Sequence, residues 1–124
     1  MTVAQANRRK TTRHSAKASD AAYVELTWPE HSGERRRLVL MDISISGLSF
    51  AIGDELPGIE AGASLPDAVI HLGECEIHGE LVVMHLTPQT ETRTICGALF
   101  YAAGDQDLIK LRSAVAGMEV ALAT

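Results

Sequence analysis

The chain has 124 residues, enough to bury one sizeable hydrophobic core but rarely two, so one domain is expected. Its composition, 46% apolar and 22% charged, is ordinary globular usage and excludes the disordered, collagen-like and disulfide-rich classes. The net charge of -5 is unevenly spread: residues 1–19 hold Arg8, Arg9, Lys10, Arg13 and Lys17 and no acid, whereas six basic and sixteen acidic residues follow.

No apolar run approaches 18 residues and Met1 to Lys17 has no apolar h-region. Neither a membrane span nor a secretory signal is therefore expected, and the expected location is cytoplasmic. Residues 1–19 read as a basic arm that meets an anion; charge alone would equally describe a solvated or nucleic-acid-seeking tail. Residues 20–124 read as the folded body.

Along that body, Ala21 to Trp28 sets Tyr23, Glu25 and Thr27 against Val24, Leu26 and Trp28, the period-2 pattern of a half-buried strand. Pro29 to Gly33 reads as a turn. Glu34 to Ile43 passes from charges into a β-favouring apolar run, and Gly47 to Ile52 resumes one after a short break. Gly53 to Pro66, rich in glycine, proline and acids, reads as a surface loop before a strand near Asp67 to Leu72. Cys75 to Leu86 and Thr92 to Ala103 form a predicted long hairpin with Thr87 to Glu91 as its turn.

From Asp105 the period changes. Leu108, Leu111, Val115, Met118 and Leu122 are spaced 3, 4, 3, 4, one face of an amphipathic helix over about residues 105–122, with Asp105 as its N-cap. Six short strands without helical crossovers imply an antiparallel sheet, and with one terminal helix they suggest a small closed or split barrel.

Two segments carry chemistry. Arg9-Lys-Thr-Thr-Arg13 places two guanidinium groups four positions apart, each able to pair with phosphate or a guanine edge and to stack on a base. Asp42-Ile-Ser-Ile-Ser-Gly47 lies at a strand end. There an aspartate can accept hydrogen bonds from the N1 and N2 donors of guanine, Ser44 adds a small hydroxyl, and Gly47 permits a positive φ or a close ligand approach. Together they describe a guanine-phosphate site.

RxxxR followed some thirty residues later by DxSxxG resembles the PilZ family, with Arg9, Arg13, Asp42, Ser44 and Gly47 matching and the strand order, acidic loop, late hairpin and final helix in agreement. The resemblance spans roughly Asn7 to Met118. It implies a mainly β fold, a six-stranded antiparallel (split) barrel with a flexible basic N-terminal arm and a C-terminal helix, that binds the bacterial second messenger cyclic di-GMP as its ligand and needs no cofactor. It further implies that Arg9 and Arg13 contact phosphates and guanine Hoogsteen edges or stack on a base, that Asp42 and Ser44 recognise a guanine, and that Gly47 shapes the turn. Arg8 stands beside the motif and is included as a ligand contact. The expected output is arm ordering and contact with an unidentified effector protein on another chain; the alternative is a PilZ-like adaptor that binds no nucleotide and acts only through protein contacts.

Other residues receive blander readings. Arg35 and Arg37 alternate against Arg36, a solvated strand end rather than a basic patch. His71, His78 and His85 are seven apart, an odd spacing that alternates faces in strands, and no Cys/His cluster has ligand spacing, so no metal is expected. Ser44 lacks a GxSxG elbow and a histidine partner, and no enzymatic activity is expected. Cys75 and Cys96, without CxxC spacing, read as buried free thiols. A nucleic-acid-binding barrel would want a basic face with several stacking aromatics, which the acidic body does not offer. The helix stripe is read as packed on the barrel, with a homodimer through helix pairing left open.

Overall fold

The computed structural model describes residues 14–15, 22–29 and 31–123, and side chains within 22–29 and 31–117. In chain order the elements are β1 (His14–Ser15), β2 (Ala22–Thr27), β3 (Arg35–Ile43), β4 (Gly47–Ile52), β5 (Ser64–Leu72), β6 (Cys75–Pro88), β7 (Thr94–Ala102) and α1 (Asp105–Ala123). Alternation drives the strands: in β2, Ala22, Val24 and Leu26 are buried while Tyr23, Glu25 and Thr27 are half-buried on the other side.

Every neighbouring pair is antiparallel, and the ring β2-β3-β4-β7-β6-β5 returns to β2, a closed six-stranded barrel. The inward faces meet in one core, with Leu26, Leu38, Leu40, Ile43, Leu48, Phe50, Ile70, Ile77 and Leu81 at most 1% exposed. β1 pairs with the last two residues of β3, outside the ring.

Several boundaries differ from the sequence reading, among them the start of β7, at Thr94 rather than Thr92. β5 begins at Ser64, inside the expected loop, and passes through Pro66 because a bulge between Leu65 and Ala68 spares that position a ladder hydrogen bond. β6 runs on to Pro88, so the hairpin turn falls at residues 89–93, closed by the Gln89 and Thr90 amides donating to the Arg93 carbonyl at 2.9 and 3.1 Å.

Helix α1 buries Leu111 and Val115 against the barrel and leaves Ile109 exposed. Its first helical bond runs from the Leu108 amide to the Gly104 carbonyl, so Gly104 rather than Asp105 occupies the cap position. Asp105 and Asp107 then fall in the first turn, where acids suit the helix dipole. Asp107 also accepts the His78 backbone N–H at 2.8 Å, tying α1 to β6, and α1 touches β7 and β1 as well. None of the described helices is long and apolar enough to cross a membrane.

Both cysteines are free thiols, Cys96 buried and Cys75 half-buried. Burial pushes the Cys96 thiol from 9.0 up to about 12, because the thiolate would lose its hydration. Above pH 9 the unfolded chain therefore sheds a proton that the folded chain keeps, and stability falls as pH rises from about 9 towards 12. Maleimide labelling of the native protein at pH 8 is expected to modify Cys75 and spare Cys96 until denaturant is added. Phe50→Ala, which empties the largest fully buried position, is expected to cost about 3–5 kcal/mol in urea unfolding, whereas Val39→Thr at a half-exposed position should change stability by less than about 0.5 kcal/mol.

Candidate functional site

The end of β3 departs from strict alternation. Leu38 and Leu40 face the core, but so does Ile43, three residues further on, which an unbroken strand would turn outward. The register explains it: Leu40 pairs with Phe50 and Asp42 with Ser49, so Met41 is one extra residue on β3. This bulge leaves Met41 and Asp42 half-buried on the outer face. Asp42 sits there between Ser15 of β1 and Ser49 of β4.

The following turn is held by Ser44. Its amide donates to the Gly47 carbonyl at 2.8 Å, and its side-chain oxygen accepts the amides of Ser46 at 3.3 Å and Gly47 at 3.2 Å. The hydroxyl, 1% exposed, thus satisfies backbone donors that the tight turn would otherwise leave buried and unpaired. Gly47 is required by packing rather than by a positive φ: a Cβ there would stand 2.5 Å from the Ala98 carbonyl oxygen. The close approach is to the β7 backbone, and it lets Gly47 pair with Leu99.

Registers extend this region across the sheet. Asp42 pairs with Ser49, Ser49 with Gly97, and Gly97 with His85, so the four form one row over β3, β4, β7 and β6. His85 also owes its direction to a bulge, since the register slips between Val83 and His85 while Val83 and the partly buried Leu86 both turn inward. Its ring occupies the space where a side chain on Gly97 would be, and three imidazole atoms would collide with a Cβ there. Arg93, in the β6-β7 turn, reaches back across the outer face, its Nη2 donating to Met41 Sδ at 3.2 Å. The resemblance to the PilZ family puts His85 and Met84 on a strand that can line the ligand pocket but gives them no role, and the sequence does not single out Arg93; the strand register brings His85 into this row.

The outer face further along β3 is a separate network. Tyr23 stacks on His71 with centroids 4.3 Å apart, Arg37 lies 4.3 Å over the same ring, and Glu25 accepts from His71 at 3.1 Å and lies 3.9 Å from Arg35. Arg36 instead bonds the Trp28 carbonyl and Glu34. A cleft of about 430 Å³ lined by Arg35, Asp67 and His78 lies at this end of the barrel, seven residues of β3 or roughly 23 Å from Asp42. No three His, Cys, Asp or Glu residues converge on a metal-binding point among the described residues. Arg8, Arg9 and Arg13, and all of the arm except His14 and Ser15, lie outside the described residues.

No family model and no curated protein matches the sequence. Solved structures do. K. pneumonia MrkH in its complex with c-di-GMP is similar with a TM-score of 0.78 and 22% identity, over 93% of this chain and 54% of that one. The PilZ domain of YcgR from Escherichia coli, solved with c-di-GMP, gives 0.77 and 15% over 93% of this chain and 94% of the other. The Bacillus subtilis inhibitor of motility MotI gives 0.71 and 22% over 91% and 52%. The chain thus spans about half the length of MrkH and MotI and nearly the whole YcgR domain, and the likeness is one of fold.

Replacing Ser44 by alanine would strip the acceptor from two turn amides. Ser44→Ala is expected to cost about 1–3 kcal/mol, read by chemical denaturation, and to speed amide hydrogen exchange at Ser46 and Gly47.

Proposed function

We propose that this chain, a PilZ domain by its fold, is a receptor for cyclic di-GMP. The observation that carries the reading is the outward placement of Asp42: the bulge at Met41 turns a carboxylate to the surface beside a rigid turn, where it can accept the N1 and N2 hydrogens of a guanine. That MrkH and the YcgR domain were solved with c-di-GMP supports the choice of ligand.

In this reading Asp42 is the guanine-specific acceptor. Ser44 acts by holding the turn, because its hydroxyl is already committed to backbone donors. Gly47 lets β4 approach β7 closely enough for the turn to form there. Arg9 and Arg13, with Arg8 beside them, supply bidentate contacts to phosphates and guanine edges. Ordering such an arm costs on the order of 1–2 kcal/mol per residue fixed, so the arginine contacts have to exceed that cost for the arm to close.

The relay follows from where the arm meets the barrel. β1 pairs with β3 at Asp42 and Ile43 and also touches α1, so an arm drawn onto a nucleotide at Asp42 alters the surface that it and α1 present together. An effector protein that reads this surface completes the pathway.

Isothermal titration calorimetry with cyclic di-GMP, and GTP as control, tests the reading. Micromolar or tighter binding, about -8 kcal/mol or better, is expected for the unaltered chain. Asp42→Ala and the double variant Arg9→Ala/Arg13→Ala should each lose at least about 1–3 kcal/mol, the scale of one bidentate guanine contact. A folded protein that takes up no cyclic di-GMP would refute the receptor assignment and leave the adaptor reading, in which the chain acts through protein contacts alone.

A further inference from the structure

We infer that the outward face of α1 pairs with the same face of a second copy of this chain, the two helices running antiparallel and crossing at Ser113. The helix carries two apolar faces. One, with Leu111 and Val115 buried, is spent on the barrel. At 100° per residue, Ile109, Ser113, Ala116 and Gly117 lie within about 100° of arc on the opposite side, and all four are exposed, Ile109 by 57%. Past Arg112 the helix holds one charged residue, Glu119, in positions 113–123. A helix so apolar around its whole girth is stable in water only when something covers it.

Gly117 marks where the cover sits. Glycine inside a helix destabilises it relative to alanine, so its presence calls for a close approach that a methyl group would block. The chain itself makes no such approach: a Cβ on Gly117 would meet nothing within 4 Å among the described residues. Beside it runs a groove of about 590 Å³ between α1 and the β5-β6 turn, with Leu72, Cys75 and Ala114 in its walls.

A second copy fits this face because the face is complementary to itself. Ile109 and Gly117 stand four residues either side of Ser113. Turned antiparallel about Ser113, each helix sets its exposed Ile109 over the other's Gly117 and brings the two small Ser113 residues together where the axes cross. Small residues there allow the axes to approach to about 8 Å, and the antiparallel order lays the positive end of each helix dipole beside the negative end of the other. No acid lies on this face. Lys110 and Arg112 flank it, and the Lys110 ammonium already donates to the Glu76 carbonyl at 3.3 Å, so apolar shape selects the occupant. From Ile109 to Gly117 the axis runs about 12 Å. Even with the groove wall, the contact falls below the roughly 800 Å² per partner of a standard interface, and the dimer is a reversible one of micromolar strength or weaker.

Sedimentation velocity of the full chain from micromolar to near-millimolar concentration tests the pairing. The mass is expected to climb from one chain towards two. Ile109→Glu and Gly117→Leu should each hold it at one chain without lowering the thermal melt, since both positions face open space in the monomer. In a Cys75→Ser background, Ser113→Cys is expected to form an interchain disulfide on mild oxidation. Gln106→Cys, about 21 Å from its own copy along the crossed helices, lies beyond the roughly 7 Å that a disulfide spans and should stay reduced. A chain that remains single throughout, with Ser113→Cys unlinked, overturns the inference, as does a dimer that both disrupting substitutions leave intact. Flotation of the single chain on phosphatidylcholine vesicles would give the face to a lipid surface and overturn it likewise.

Discussion

The structure depends on β3 pairing along both of its edges. Its first half is bonded to β2 and its second half to β4, and only this sharing closes the ring. The extra residue at Met41 makes the closure compatible with the core. Without it, Ile43 would leave the interior and Asp42 would be driven into it, and an unpaired carboxylate in an apolar core costs far more than a misplaced isoleucine. One backbone irregularity therefore fixes both the packing at the end of the barrel and the chemistry on its surface.

Much of the fold was legible from the chain because it rests on local periodicity. The alternation of Tyr23 to Trp28 and the 3, 4 spacing of Leu108, Leu111 and Val115 mark elements that the structure contains. Two of the misread boundaries, at the start of β5 and the end of β6, share one cause. Pro66 and Pro88 usually end strands, but one sits at a bulge and the other at the terminal pair of a hairpin, where a missing N–H costs little.

The site was legible only in part. Asp42, Ser44 and Gly47 stand together in sequence, so their pattern was visible, but their separate tasks were not. Gly47 answers to Ala98, fifty-one positions away, and Ser44 is spent on its own turn. For His85 only the strand's place beside the pocket was legible, through the family resemblance, since its direction depends on a register slip in β6, and Arg93 was out of reach because its place depends on a side chain crossing β4. The three evenly spaced histidines have unrelated neighbours: His71 stacks on Tyr23, His78 lends its backbone to Asp107, and His85 covers Gly97.

The ring of β2 to β7 has a consequence for how another protein can recognise it. Each of the six strands is hydrogen-bonded to a neighbour on both sides over part of its length, so the open rows of amides and carbonyls are short, such as Arg35–Val39 of β3 on the side away from β2. Recruitment by strand addition, which reads backbone and tolerates almost any sequence, is confined to those short stretches. The ring also has no strand that is free along its whole edge, the feature that makes sheets aggregate. Most of what a partner can read is therefore side chains on the outer faces, on the turns or on α1, and that makes its recognition sensitive to what lies across those faces at any moment.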